Sequence, residues 1–562
     1  MKRFLVMLMC FLLALTPLSF AGCDCSGGVG EQEAIDPTRT QLRLSILKCG
    51  VGTTFGYQLK ADYEKLNPNV QVLVYEATGE GDGPQMQTLM KNSDRDVVFM
   101  VNWTLSDYVN VGLKTSDIIA DITDIVTTPR VAGEKSLHEK IHGSQATYHN
   151  VGTEENPVYF SLPWYTSFMS TTYDVKLFRD ENLFELDGYA GLDCVAGTED
   201  DQWGPDGEEG TYDDGFPATW EDMKVLLQEM KTVGIIPFTW TAFEGYLDSW
   251  MANIWASYEG ADNYSILQTF DGTYKSSNKP DQVVTPQTGY LMAQQNGKLA
   301  ALKTLEYIMR NGMYTQKSLD SGYGHLVCQK AYINSSYNQQ PVAFINEGNY
   351  WENEARAFFD EMATYYGAEY AYGTREFAVF PWPKYIGSSA TEGIPNQINT
   401  KSTLLAGVVR DMSNVVVINK RSAHLDLAKD FLQWAYSDQN NANFLRDSGM
   451  LRPFGYDKSI ITDDYLDSLT PYQRSVYEYT QENDNVEIIT GANRTGLIQK
   501  AGDFIRGLAA FSIKMPAAYG NSKYTTASDV FNTYPTFTAQ NYFDQMANVY
   551  TEADWTSRFF RS

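Results

Sequence analysis

Cysteine, histidine and basic side chains are scarce in this chain of 562 residues, which carries 6 Cys, 5 His and 43 Lys plus Arg against 70 Asp plus Glu. Cysteines this few and this scattered exclude a disulfide framework and a C-x-x-C metal site. The deficit of positive charge, a formal −27, repels phosphate backbones and anionic headgroups and excludes nucleic acid as a partner. Beyond residue 22 no apolar run reaches the about 18 residues that a bilayer-spanning helix needs. Aromatic residues are plentiful instead: 14% of the chain, with 37 tyrosines. Side chains that are half apolar and half polar suit surfaces that stack on flat, hydroxylated ligands. The length exceeds one domain of about 100–200 residues, and 43% hydrophobic content supplies apolar material for two large cores.

The N-terminus opens with Met1-Lys2-Arg3, an apolar run from Phe4 to Leu15 and small residues up to Gly22. This is the pattern of a secretory signal peptide, residues 1–22. Ala21-Gly22 directly before Cys23 resembles a bacterial lipobox, in which the cysteine is acylated and becomes the mature N-terminus. Phe20 stands where that pattern prefers Leu; ordinary signal cleavage or a retained anchor helix are the alternatives. Two acyl chains would hold the protein on the membrane, with no other membrane contact. Residues 23–40, rich in Gly, Ser and acid, read as a tether.

From residue 41 strand and helix alternate. Leu42–Leu47, Val70–Tyr75 and Asp96–Val101 read as strands, and Tyr57–Leu66 and Pro84–Met90 as helices between them. This spacing predicts βαβ units in a doubly wound α/β lobe, with ligands bound outside the carboxyl ends of the strands. Thr219 is the expected N-cap of a helix bearing Met223, Leu226, Leu227 and Met230 on one face, with Asp222 at capping-box spacing. A short strand at Ile235–Phe238, an aromatic helix at Tyr246–Tyr258, a strand at Asn414–Ile418 and an amphipathic helix at Leu425–Tyr436 follow. No internal repeat is legible at this level.

Several pieces in order resemble the extracellular solute-binding proteins of bacterial ABC importers, of the class that captures sugars. They are Gly50-Val51-Gly52 after the first strand, Glu64–Val70 leading into the second, Asp96-Val97-Val98, and Leu162-Pro163-Trp164-Tyr165. Tyr173–Phe178, Pro217–Trp220, Phe344–Trp351, Lys429–Trp434 and Gly449-Met450-Leu451-Arg452-Pro453 continue the series. The resemblance implies a fold of two α/β lobes joined by hinge crossings. The expected boundaries are 41–165 and 385–455 for the N-terminal lobe, and 166–384 and 456–562 for the C-terminal lobe, with insertions around 186–215 and 259–289. It implies an oligosaccharide or sugar in the cleft, delivered to an ABC permease from the outer face of the membrane, without catalysis and with no cofactor required. Carried over by position, the ligand-binding residues are Gly52, Trp103, Trp164, Tyr165, Glu244, Asp248, Glu347, Tyr350, Trp351 and Arg452, with Tyr246 beside them. Trp250, Trp255 and Trp434 are assigned to the core.

Other chemistry competes. His138-Glu139-Lys140-Ile141-His142 matches H-E-x-x-H, the spacing of a zinc hydrolase, although Lys140 replaces an apolar residue and Gly143 stops the turn. A secreted carbohydrate-active hydrolase would also place aromatics and acids in a cleft, but no pair of catalytic carboxylates stands out. The segment from Asp193 to Asp214 holds nine acids and no Lys or Arg. There Asp200, Asp206, Glu208 and Asp213 are candidate ligands for a structural calcium ion, which takes about 6–8 oxygens. A solvated acidic loop is the alternative.

Overall fold

A computed structural model describes residues 33–560, apart from 78–87, 89, 93–94, 101–116, 243–244, 339, 388–392, 407–413, 491–510, 517–518 and 520–523. Cys23, Trp103, Glu244 and most of the helix expected over 84–90 lie outside the described residues.

The first lobe is built on β1 (Thr40–Leu47), α1 (Thr54–Leu66), β2 (Val70–Ala77), β3 (Val97–Met100) and β4 (Leu162–Pro163). The chain then enters the second lobe at β5 (Met169–Asp174). There α2 (Trp220–Thr232), β6 (Ile236–Trp240), α3 (Tyr246–Thr269), α4 (Asn296–Arg310), α5 (His325–Ser335) and β7 (Val342–Gly348) follow in turn. Next come α6 (Trp351–Glu354), α7 (Arg356–Tyr366), β8 (Phe377–Phe380) and β9 (Ser402–Ala406). The chain returns to the first lobe at β10 (Val415–Ile418), α8 (Leu425–Ala435) and α9 (Asp438–Ser448), and reaches β11 (Val486–Thr490) in the second.

The first sheet has the order β2-β1-β3-β10-β4. β1 runs parallel to β2 and β3, while β10 is antiparallel to β3 and β4. The second has the order β8-β5-β7-β6, with β6 parallel to β7 and β5 antiparallel to both its neighbours. Both sheets are therefore mixed; each antiparallel strand is one that the chain enters from the other lobe. The expected boundary at 385 also moves. Tyr385 and Leu405 pack in the large second-lobe core, and β9 pairs with β11, so the chain is still in the second lobe at Ala406 and is in the first at β10.

The helices start where their chemistry dictates. Thr219 Oγ1 accepts from the Asp222 amide at 3.2 Å and the Asp222 carboxylate accepts from the Thr219 amide at 3.0 Å, the reciprocal box expected at that spacing. Met223, Leu226, Leu227 and Met230 of this helix are all fully buried. The aromatic helix α3 continues past Tyr258 to Thr269, across a break at Gly260. Trp250 and Trp255 sit in the second core, while Trp434 packs against Tyr63 with ring centroids 5.0 Å apart. Phe444 of α9 belongs to the first-lobe core, and Ala442 and Leu445 of the same helix belong to a cluster of the second. This helix ties the lobes together beside the crossing where Thr166 bridges Leu451.

Candidate functional site

Parallel strands in each sheet deliver their carboxyl ends to one edge, and among the described residues the loops after β1, β6 and β7 stand at that edge. After β1 the chain turns through Cys49, Gly50, Val51 and Gly52; Gly52 has φ +70°, the left-handed region that favours glycine. After β7 it turns through Gly348, Asn349 and Tyr350 into α6. These two loops meet. Asn353 Nδ2 of α6 donates to the carbonyl oxygens of Gly50 and Val51, both at 3.0 Å. The Tyr350 ring lies so close to Gly50 that a Cβ there would stand 2.6 Å from Cδ2, and a Cβ on Gly348 would collide with the ring's other edge. One tyrosine is thus clasped between a glycine of the first lobe and a glycine of the second.

Behind Tyr350 lies a buried acidic cluster. Glu347, the penultimate residue of β7, is fully buried; its Oε1 accepts from Thr241 Oγ1 at 3.3 Å, and its Oε2 has no partner among the described residues. Burial and the neighbouring Glu354 push its carboxyl well above the ordinary carboxylate range. Glu354 accepts from Gln329 Nε2 at 2.7 Å and stands 3.8 Å from His325 Nε2. Tyr246, the first residue of α3, stacks parallel on His325 with ring centroids 6.0 Å apart. Burial, then Glu347, Tyr350 and Glu354, raise its hydroxyl far above the usual tyrosine value. Tyr246, His325, Tyr350 and Glu354 thus form one aromatic and acidic surface where the lobes face each other, with Glu347 buried beneath it. Such a surface offers hydrogen-bond acceptors and ring faces together.

The structure brings Gly52, Glu347 and Tyr350 of the expected set to this edge. Tyr165, nearly buried, packs edge-on against Trp164 at the crossing, with centroids 4.6 Å apart. The remaining described candidates lie elsewhere. Trp164 is fully buried, donates from Nε1 to the Met100 carbonyl oxygen at 2.9 Å and fills the first core beside Phe55 and Phe99. Trp351 is fully buried among Tyr332, Phe377 and Tyr472. The glycine-then-aromatic turn presents Tyr350 and sinks its neighbour. Arg452 is also internal: its guanidinium lies between the rings of Tyr436 and Phe444, 4.3 and 4.4 Å from their centroids, and donates to the Ala435 carbonyl oxygen. Burial lowers its pKa to about 10. Asp248 turns inward, accepting a backbone hydrogen bond from Phe511 and facing Lys298; burial raises its carboxyl. The Lys298 ammonium stands 4.8 Å above the Trp255 ring. His325, Gln329, Asn353 and Glu354 were missed; Asn353 and Glu354 follow Tyr350 at helical spacing, which was the available signal.

The zinc hydrolase arrangement does not form. The helix carrying His138 spans only Leu137–Lys140, and Ile141 is already extended, so His142 does not share a helical face with His138. His138 Nδ1 pairs with the Tyr159 hydroxyl at 2.7 Å, and Glu139 is occupied in a capping box with Ser136. Nor do the four candidate calcium ligands converge, and among the described residues no three His, Cys, Asp or Glu side chains are grouped to hold a metal ion.

The acidic insertion contains instead a 13-residue repeat that the sequence reading passed over: Asp-x3-Gly-Thr-x-Asp-Asp from Asp193 to Asp201 and again from Asp206 to Asp214. Each half closes on itself in the same way. The Asp193 amide donates to Asp200 Oδ2 at 3.0 Å and the Asp206 amide to Asp213 Oδ2 at 2.8 Å. The Gly197 amide donates to Asp201 and the Gly210 amide to Asp214, both at 2.7 Å. Asp200 lies in one half, and Asp206, Glu208 and Asp213 in the other; Asp200, Asp206 and Asp213 accept hydrogen bonds within their own turns.

Residues 51–442 match the bacterial extracellular solute-binding protein family, and the chain belongs to it. Its fold resembles the apo form of RafE from Streptococcus pneumoniae at a TM-score of 0.50 and 13% identity, covering 92% of this chain and 98% of that one. It resembles the GacH receptor of Streptomyces glaucescens, solved unliganded and with acarbose, at a TM-score of 0.50 and 12% identity, covering 91% of this chain and 98% of that one. No curated protein matches the chain.

Proposed function

We propose that this solute-binding protein captures a carbohydrate, an oligosaccharide or a single sugar, and presents it to the permease of an ABC importer from the extracytoplasmic face of the membrane. It is held there by acylated Cys23 and performs no catalysis. The observation that carries the reading is the clasped Tyr350 ring with Glu347, Glu354 and Tyr246 around it. A ring face packs on the C–H face of a pyranose while the half-buried Glu354 carboxylate and the tyrosine hydroxyls take its hydroxyls. The placement at the meeting of two lobes suits closure on a ligand, since contacts from both lobes favour the liganded form. The GacH receptor, similar in fold, has been solved with acarbose.

Isothermal titration against a panel of oligosaccharides, followed by product analysis, tests this. One-to-one binding with the sugar recovered intact is expected, and Tyr350→Ala is expected to weaken it about tenfold or more, a loss of about 1.4 kcal/mol. Cleaved sugar would make the protein a hydrolase and overturn the reading. Attachment is read separately: Cys23→Ser is expected to move the protein from the membrane fraction to the medium.

A further inference from the structure

At the opposite end of the second lobe a group of tyrosines stands in solvent. Tyr337 follows the end of α5, Tyr365 and Tyr366 end α7, and Tyr370 follows one turn later. The rings of Tyr337 and Tyr366 lie 3.8 Å apart between centroids, with Tyr370 6.4 Å and Tyr365 6.5 Å from Tyr366. Tyr337, Tyr365 and Tyr366 are 47%, 73% and 43% exposed. No hydrogen bond to a described residue engages any of the four hydroxyls. Adjoining exposed rings of this extent compare with the largest apolar patch of a typical monomer, which is often functional.

Topology separates this patch from the cleft. α5 leads into the start of β7, and α7 runs back from its end, so the carboxyl ends of both helices lie at the beginning of the strand. The seven residues of β7 place roughly 20 Å between the two ends.

We infer that this tyrosine platform is a second carbohydrate site, one that holds a polysaccharide chain against the outside of the second lobe. The chemistry of the patch favours that occupant. It consists of rings with hydroxyl rims, inclined at 61° between Tyr365 and Tyr366 and at 71° between Tyr366 and Tyr370, so that single ring faces meet pyranose C–H groups and the rims offer donors and acceptors to their hydroxyls. Charges lie beside it, with Lys330 and Glu361 paired to each other at 2.7 Å. Its extent is also that of a short glycan. Taking about 200 Å² for a whole tyrosine, the three exposed rings present roughly 300 Å², well short of the about 800 Å² per partner of a stable protein interface.

Native electrophoresis through gels containing soluble α-glucan, β-xylan or β-mannan tests the inference. The wild-type chain is expected to be retarded at least twofold in one of them. The variant Tyr337→Ala/Tyr365→Ala/Tyr366→Ala is expected to run at its unretarded mobility, and Tyr350→Ala in the cleft to stay retarded. The single variant Tyr365→Ala, at the most exposed ring, serves if the triple variant loses its fold, and is expected to show reduced retardation. No retardation in any gel, retardation unchanged by the surface substitutions, or retardation lost only with Tyr350→Ala would each overturn it. A wild-type dimer in sedimentation velocity that the surface variants dissociate would assign the patch to a second copy of the chain instead.

Discussion

The two lobes bury their charge differently. In the first, the buried Asp96 is fully engaged: it accepts from the Arg43 amide at 2.7 Å and from Ser422 Oγ at 2.6 Å. The second lobe buries Glu259, Glu347, Glu352, Lys298 and Lys384 outright. Burial pushes Glu259 and Glu352 up to about 7 and Lys298 down to about 7. Ionised groups are costly in such surroundings, so they persist where other requirements hold them. Among the described residues the first lobe contributes backbone to this surface, the carbonyls of Gly50 and Val51, and the second lobe contributes the side chains.

The largest effect expected from breaking that division falls on Trp351. Its fully buried indole joins Tyr332, Phe377 and Tyr472, and Trp351→Ala removes it at a cost of about 3–5 kcal/mol. Thermal unfolding should shift strongly, whereas Tyr350→Ala should leave the midpoint nearly unchanged and weaken ligand binding. Equal stability losses for the two neighbours would remove the distinction between ring-presenting and core-filling positions. Next comes Glu347. Its folded-state pKa is raised, so the stability it contributes is present below the unfolded carboxylate value near 4 and is lost as pH rises toward the folded value. Glu347→Gln should flatten that decline and raise stability at pH 8, measured by urea unfolding across pH 4–8. A steeper decline in the variant would mean that the carboxylate is ionised and paired.

Much of this architecture was legible in the sequence because strand and helix periods, the Thr219–Asp222 box and the order of short motifs are local. The misplaced site residues were not local. Trp351 and Tyr350 are adjacent and both aromatic; only the direction of the β7–α6 turn decides which one faces the other lobe. Arg452 carries the charge expected of a ligand partner, yet two rings of the first-lobe core enclose it, Tyr436 at the end of α8 and Phe444 of α9, a contact that composition does not encode. The return crossing lies later than expected because Tyr385 packs in the second core and Ser402–Ala406 pairs with β11, far along the chain. The repeat in the acidic insertion was there to be read, but counting its charges obscured its spacing.

Asn353 sharpens the contrast between the lobes at the point where they touch. Its amide satisfies two carbonyl oxygens of the first lobe, and a hydrogen bond of this kind is worth about 1 kcal/mol. Asn353→Ala should leave unfolding of each lobe little changed and shift the equilibrium toward the open form, seen as a larger radius of gyration in small-angle scattering and as weaker ligand binding. An unchanged radius together with unchanged affinity would show that the lobes meet without this contact.

The smallest effects separate the two halves of the acidic repeat, which share one hydrogen-bonding scheme in opposite surroundings. Asp213 is buried, and burial, then the charge of Asp206, raise its carboxyl to about 7. For Asp200 burial also acts upward, but the hydrogen bonds from Thr198 and from the loop amides outweigh it, and its pKa is lowered. The signs follow. Stability from Asp213 is present below pH 4 and lost as pH climbs to about 7; stability from Asp200 is present above the unfolded value and lost as pH falls below it. Asp213→Asn should therefore raise stability at pH 8 and leave it unchanged at pH 4. Asp200→Asn should lower it slightly at pH 7. Calcium added at millimolar concentration should not move the unfolding midpoint of the wild type, because these carboxylates already serve as acceptors within their turns. A calcium-dependent rise abolished by Asp213→Asn would show that the turns open to bind an ion, and that the repeat is a binding device rather than a self-contained fold.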